Sequence, residues 1–146
     1  QAHVSVEDSI DMTERKSGSL VGLVYRLGAL AGMYGRYRTT RLRAASEDFA
    51  AFGRTLGITI QLENDWIDAQ QTARKSDRQR GKKTLPLVVE AERIPPGLSH
   101  DEQEAHVLRV VQTMISLYRG RARAQLGTLV STYHLSPRWL HWVVSD

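Results

Sequence analysis

The chain has no cysteine in its 146 residues. This excludes a disulfide framework and a thiolate metal site, and it is compatible with a reducing compartment. No apolar run reaches the roughly 18–20 residues needed to cross a bilayer, so no membrane span is expected. Residues Gln1 to Asp8 carry neither a basic n-region nor an apolar h-region, so no signal peptide is expected and the expected location is cytoplasmic. The five histidines, at positions 3, 100, 106, 134 and 141, have no zinc-site spacing. No serine lies in a nucleophile-elbow motif. Gly81-Lys82-Lys83-Thr84 lacks the first glycine and the preceding strand of a phosphate-binding loop. The net charge of +4 favours anionic ligands without indicating nucleic acid, and the basic stretch has no interleaved aromatics.

What is present is ordinary globular composition: 41% hydrophobic and 25% charged residues. The length allows one domain with a core, taken here as residues 1–146. No strand alternation or repeat is evident, and the periodicity predicts an all-α fold. A first helical stretch over 4–34 carries Ile10, Leu20, Leu23, Val24, Leu27, Leu30 and Ala31 at helical spacing. Glycines 18, 22, 28, 32 and 35 punctuate it and permit close approach to another helix or a ligand. Residues 36–43 read as a connector. A second long helix is expected from about Ala44 to about Gln71, with Phe49, Phe52, Leu56, Ile60 and Ile67 on its apolar side. Residues 72–83 read as a polar cationic loop, and Thr84 to about Arg93 as a short helix with Pro86 in its first turn. Pro95, Pro96 and Gly97 end it. Ser99 and Glu102 form a capping box that opens a third long helix, carrying Val107, Val110, Val111, Met114, Ile115, Leu117 and Tyr118 to about Tyr133. A final segment contains Trp139 and Trp142, whose spacing suits packing.

The chemistry concentrates at Gln61, Asn64, Asp65 and Asp68. On a helix these four share one stripe, which groups two carboxylates with amide oxygens. Charges at this spacing usually form a solvated face. Oxygen donors grouped this way also suit Mg2+, which keeps several waters and shares its shell with phosphate oxygens. The basic run that follows, from Arg74 to Lys83, would neutralise the remaining phosphate charge. A metal-bridged diphosphate is the ligand these residues suggest.

Three motifs, in order and in register, resemble the C-terminal half of the polyprenyl (isoprenyl) diphosphate synthases, the trans-prenyltransferase family. Lys16-Ser17-Gly18-Ser19-Leu20 is similar to its Lys-Thr/Ser-Gly-x-Leu element. Residues 57–68, ending Asn64-Asp65-Trp66-Ile67-Asp68, resemble its second aspartate-rich motif. Residues 76–86, with Ser76-Asp77 and Gly81-Lys82-Lys83-Thr84-Leu85-Pro86, resemble the signature that follows. The resemblance covers about residues 10–90. It implies the C-terminal half of an isoprenoid-synthase helical bundle in which Mg2+ bridges aspartates to an allylic diphosphate. Metal and lysines then stabilise the departing pyrophosphate, and the double bond of isopentenyl diphosphate, or another acceptor, attacks the cation. On that reading Asn64, Asp65 and Asp68 form the metal set, with the aspartates acting directly or through water. Lys16, Lys75 and Lys82 contact the diphosphate, Gln61 lines the reacting end, and Ser17 lines the adjacent wall.

Two departures qualify what the resemblance implies. Asn64 replaces the leading aspartate of the motif, removing one charge and one strong ligand. No Asp-Asp-x-x-Asp occurs in the chain, so the first aspartate-rich motif is missing. The expected partner is therefore a complementary N-terminal half or second subunit carrying that motif, in an oligomer, with the isolated chain inactive. The alternatives are a non-catalytic regulatory or scaffold subunit of a two-chain synthase, and half of a terpene cyclase.

Overall fold

The computed structural model describes residues 5–72, 88–89 and 94–136. All regular structure among them is helical, and the fold is all-α. Helix α1 spans Val6–Thr13 and runs through a π-helical turn, Glu14–Gly18, into α2, Ser19–Met33. Helix α3 is Thr39–Thr72 and α4 is His100–Tyr133, each 34 residues and therefore about 50 Å long at 1.5 Å per residue. Val88 and Val89 are helical and buried.

Local chemistry sets most of the boundaries. Ser5 caps α1: its hydroxyl accepts the Asp8 N–H at 3.0 Å, and the Asp8 carboxylate accepts the Ser5 N–H at 3.0 Å. Ser99 and Glu102 repeat the arrangement at α4, where the Glu102 carboxylate accepts the Ser99 N–H at 2.8 Å. This is the capping box expected from sequence. Gly97, at φ 92, makes the preceding turn. The α2–α3 turn uses Gly35, at φ 77, a left-handed conformation in which a side chain is strained. Helix α4 ends on His134 in the left-handed region, at φ 51, and the His134 and Leu135 N–H groups both donate to the Val130 carbonyl.

The start of α3 differs from the sequence expectation. The helix begins at Thr39, so Thr39–Arg43 is helix and not connector. Arginine is a good helix former, and the segment is held by tertiary contacts. Ala45 is fully buried, the Arg41 guanidinium lies 4.8 Å from the Tyr37 ring centroid, and it donates to the Thr132 carbonyl.

Helix α3 is the middle of the molecule. It runs antiparallel to α1–α2 on one side and to α4 on the other. Toward α4 the interface is side-chain packing in two clusters. One, at the Ile58–Leu62 end, gathers Val6, Val88, Val89, Val107, Val111 and Ile115, with Trp66 against it. The other, at the Ala45–Phe52 end, gathers Met33, Ala122, Leu126, Leu129 and Tyr133. Full burial of each large side chain contributes about 1.5–3 kcal/mol.

Toward α2 the interface is backbone on backbone. A Cβ on Gly57 would lie 2.7 Å from the Ser17 carbonyl oxygen, and one on Gly53 would lie 2.8 Å from that of Val21 and 2.9 Å from the Gly22 Cα. Gly18 and Gly22 meet α3 from the other side, so two pairs spaced four apart interlock in antiparallel register. Because glycines make this contact, the large residues of α2 are turned away from it. Leu20, Leu23, Val24 and Leu27 are exposed, Leu20 by 63%. Ile60 and Ile67 of α3 and Leu117 of α4 are exposed as well, while Thr55, Ile58, Thr59 and Leu62 take the buried stripe.

Candidate functional site

The glycine contact brings two of the sequence motifs together. Ser17 closes the π-helical turn beside Gly18, and Gln61 lies one turn beyond Gly57 on α3. The Ser17 hydroxyl donates to Gln61 Oε1 at 2.9 Å. The Gln61 amide Nε2 donates in turn to Asp65 Oδ1 at 2.8 Å. Three half-buried polar side chains from two helices thus form one hydrogen-bonded chain. A π turn inserts an extra residue per turn and is common at functional sites. Here it coincides with the Lys16-Ser17-Gly18 element, which sequence reading treats as plain helix.

The other candidates fall into two groups. Lys16, Asn64 and Asp68 are exposed, and Asn64 and Asp68 share the solvent-facing side of the Asp65 stripe. Lys75 and Lys82, with the basic run and the signature at residues 76–86, lie outside the described residues. Glu63 is set apart from the cluster: its carboxylate accepts from Arg119 Nε at 2.7 Å and ties α3 to α4. Trp66 packs into the core and fixes the rotation of this part of α3. With Glu63 and Trp66 engaged on the α4 side, Gln61, Asn64, Asp65 and Asp68 are left for the opposite face.

The donor set can be tested against Mg2+. Asp65 has one oxygen engaged by Gln61, Asp68 is exposed, and the Asn64 amide is exposed. The set is oxygen-rich, open to water and contains two carboxylates, which matches the one or two carboxylates plus waters and phosphate oxygens that Mg2+ takes. It does not match a self-sufficient cage. Among the described residues no group of three or more His, Cys, Asp or Glu is placed to hold a metal ion. The residues fit Mg2+ only as a partial shell that phosphate completes.

Sequence reading missed two structural features. The first is the clamp at the far end of α3, where the Tyr133 hydroxyl donates to Asp48 at 2.6 Å and Tyr37 donates to the Tyr133 carbonyl at 3.4 Å. Burial pushes the Tyr133 phenol up to about 12, with the Asp48 carboxylate adding to the shift. The paired tyrosine and aspartate lie 85 residues apart, and no local pattern announces them. The second is an open groove of about 400 Å³ lined by Val6, His106, Arg109, Val110, Thr113 and Met114. It includes none of the candidate residues. Among the described residues no helix is long and apolar enough to cross a membrane. No protein-family model, curated protein or solved structure matches the chain.

Proposed function

We propose that this chain supplies one wall of a Mg2+-dependent prenyltransferase site, in which an allylic prenyl diphosphate is ionised and joined to isopentenyl diphosphate or another acceptor. The observation that carries this reading is the Ser17–Gln61–Asp65 chain. Two motifs 44 residues apart, tied together only by their resemblance to the trans-prenyltransferases, are in hydrogen-bond contact. The exposed apolar stripe supports the same reading. Leu20, Val24 and Leu27 continue along α2 from Ser17, about one, two and three turns on, as an apolar wall suited to a hydrocarbon chain whose diphosphate would sit at Asp65 and Asp68.

Asp65 and Asp68 would hold Mg2+, with the Asn64 amide as a weaker donor. Bound metal would supply positive charge for the pyrophosphate as it leaves. Lys16 would add a cation from the π-helical turn, and Lys75 and Lys82 are assigned the same task from the resemblance. The departing oxygen keeps the electron pair of the broken C–O bond, the acceptor double bond forms the new C–C bond, and a proton is then lost. The chain's own part is electrostatic and positional. The first aspartate-rich motif is assigned to a complementary helical unit, which would pack on the exposed face of α2.

A second reading keeps the helices without the chemistry, as a scaffold subunit of a complete synthase. Asn64 in place of an aspartate favours it. Calorimetry with a prenyl diphosphate separates the two. The catalytic reading expects binding that strengthens at least tenfold on adding Mg2+, about 1.4 kcal/mol. It also expects a further gain in Asn64→Asp and loss of the Mg2+ effect in Asp65→Ala. Equal affinity with metal and with chelator, unchanged by either substitution, would leave the scaffold reading.

A further inference from the structure

The turn between α2 and α3, with the start of α3, carries four exposed arginines in eight residues: Arg36, Arg38, Arg41 and Arg43. No carboxylate occurs between Glu14 and Glu47. Glu47 pairs with Arg26 at 2.6 Å and Asp48 accepts from Tyr133 at 2.6 Å, so both are engaged elsewhere. Helix α4, whose last turn lies beside Arg41, has no acid beyond Glu104. Arg41 is held over the Tyr37 ring, while the guanidinium groups of Arg36, Arg38 and Arg43 have no partner among the described residues. The chain has 20 basic and 16 acidic residues, so these four arginines equal its whole net charge of +4. Arg38 to Arg43 covers about 8 Å of helix, less than the Debye length of about 10 Å at about 0.1 M salt, so the charges act as one field. The first turn of a helix favours carboxylates, yet α3 has none there, and Arg38 and Arg41 stand at that end instead. An anionic partner would relieve the repulsion built in here.

Tyr34, which closes α2 beside the arginines, is 82% exposed. Its neighbours one turn back, Leu30 and Ala31, are apolar and not buried. Apolar groups, an aromatic ring with a polar tip and a cluster of cations therefore follow one another toward this end of the bundle. The boundary of an anionic bilayer presents the same order, with acyl chain, interface and headgroup phosphate in turn. A nucleic acid would use the arginines and leave Leu30 and Ala31 without a role. We propose that the Tyr34–Arg43 end of the bundle docks peripherally on anionic lipid bilayers, with its arginines against headgroup phosphates and Tyr34 at the boundary. The contact needs only the last turn of α2, so Leu20 to Leu27 stay available to the helical unit assigned to them above. None of these groups belongs to the candidate site, since Arg43 is about 33 Å along α3 from Asp65.

The test is co-sedimentation of the purified chain with vesicles of phosphatidylcholine alone and of phosphatidylcholine mixed with phosphatidylglycerol. Binding to the anionic vesicles should be at least tenfold stronger, and high salt should weaken it at least tenfold. Each arginine near such a surface contributes about fivefold. Arg36→Glu with Arg38→Glu should therefore lower binding at least tenfold, while Arg36→Lys with Arg38→Lys should hold it within about threefold. Arg109→Glu with Arg121→Glu makes the same change in net charge on α4, away from the turn, and should cost less than about threefold. Tyr34→Ala should lower binding about threefold without changing its salt dependence. Circular dichroism confirms that each variant is folded, and Arg36→Gln with Arg38→Gln decides the matter if the charge reversal is not. Equal binding to the two kinds of vesicle would overturn the proposal. So would binding that survives the reversal, as it would if residues 74–83 carried it. Absence of binding to anionic vesicles overturns it as well, and a labelled oligonucleotide bound by the chain and released by the same reversal would assign this end to nucleic acid instead.

Discussion

At the scale of single residues, the same kind of contact does different work at the two ends of α3. At one end Gln61 uses both faces of its amide to join Ser17 and Asp65. At the other, Tyr133 donates to Asp48 in a clamp whose consequence is a pH dependence. Burial first, and the Asp48 carboxylate second, hold the phenol up to about 12. In the unfolded chain the same phenol ionises near pH 10. A group raised on folding adds stability that is full below the unfolded value and is lost as pH climbs through the folded one. Stability should therefore fall between pH 10 and 12. Tyr133→Phe should cost about 1 kcal/mol at neutral pH, at the low end for a bond to a charged partner because Asp48 is exposed and rehydrates. The variant should also fall less steeply above pH 10. Part of the slope will remain, since burial raises Tyr25 too. Urea unfolding at several pH values measures both effects, and identical slopes in the two proteins would contradict the assignment.

At the scale of elements, glycine decides which way α2 faces. A helix whose leucines point outward contradicts the usual inference from hydrophobic spacing, and that inference fails here for a definite reason. Spacing shows which residues share a stripe but not whether the core wants that stripe. Gly18 and Gly22 admit the α3 backbone so closely that no leucine stripe fits there. Substitutions at two glycines check this. Gly57→Ala places a methyl 2.7 Å from the Ser17 carbonyl oxygen, so the helices must part. It should cost about 1–3 kcal/mol and disturb the Gln61 amide resonance. Gly28→Ala meets nothing within 4 Å and should stabilise the helix by about 1 kcal/mol. Thermal unfolding compares them, and equal effects would remove the seam from the account. The capping box of α4 was legible in sequence because it is local, four residues reading one another. The early start of α3 was hidden because Arg41 is stabilised by Tyr37 and Thr132, the latter 91 residues away. The π turn was hidden because an extra residue in a helical turn leaves no compositional mark. The family resemblance implied only that Ser17 lines a wall adjacent to Gln61; their hydrogen bond was not legible, since periodicity places each residue on its own helix and says nothing of their meeting.

At the scale of the whole molecule, the exposed stripe of α2 predicts how the chain behaves in solution. Leu20, Leu23, Val24 and Leu27 are each more than half exposed on neighbouring turns. An apolar face of this kind drives association when nothing covers it. Sedimentation velocity should show a mass above that of one chain that rises with concentration, and Leu23→Glu with Leu27→Glu should return it to one chain. A monodisperse single chain across the concentration range would count against an interface there. The placement of α3 has a separate mechanical meaning. One unbroken rod of about 50 Å carries the Tyr133 clamp near its first residues and Asp65 near its last, and it is gripped along one side by backbone and along the other by side chains. Such a rod transmits axial and rotational displacement with little loss, since neither face is free to absorb it. Loosening the clamp should therefore be felt some 25 Å away at Asp65, roughly 17 residues along the rod, as a change in rotation and not as local melting.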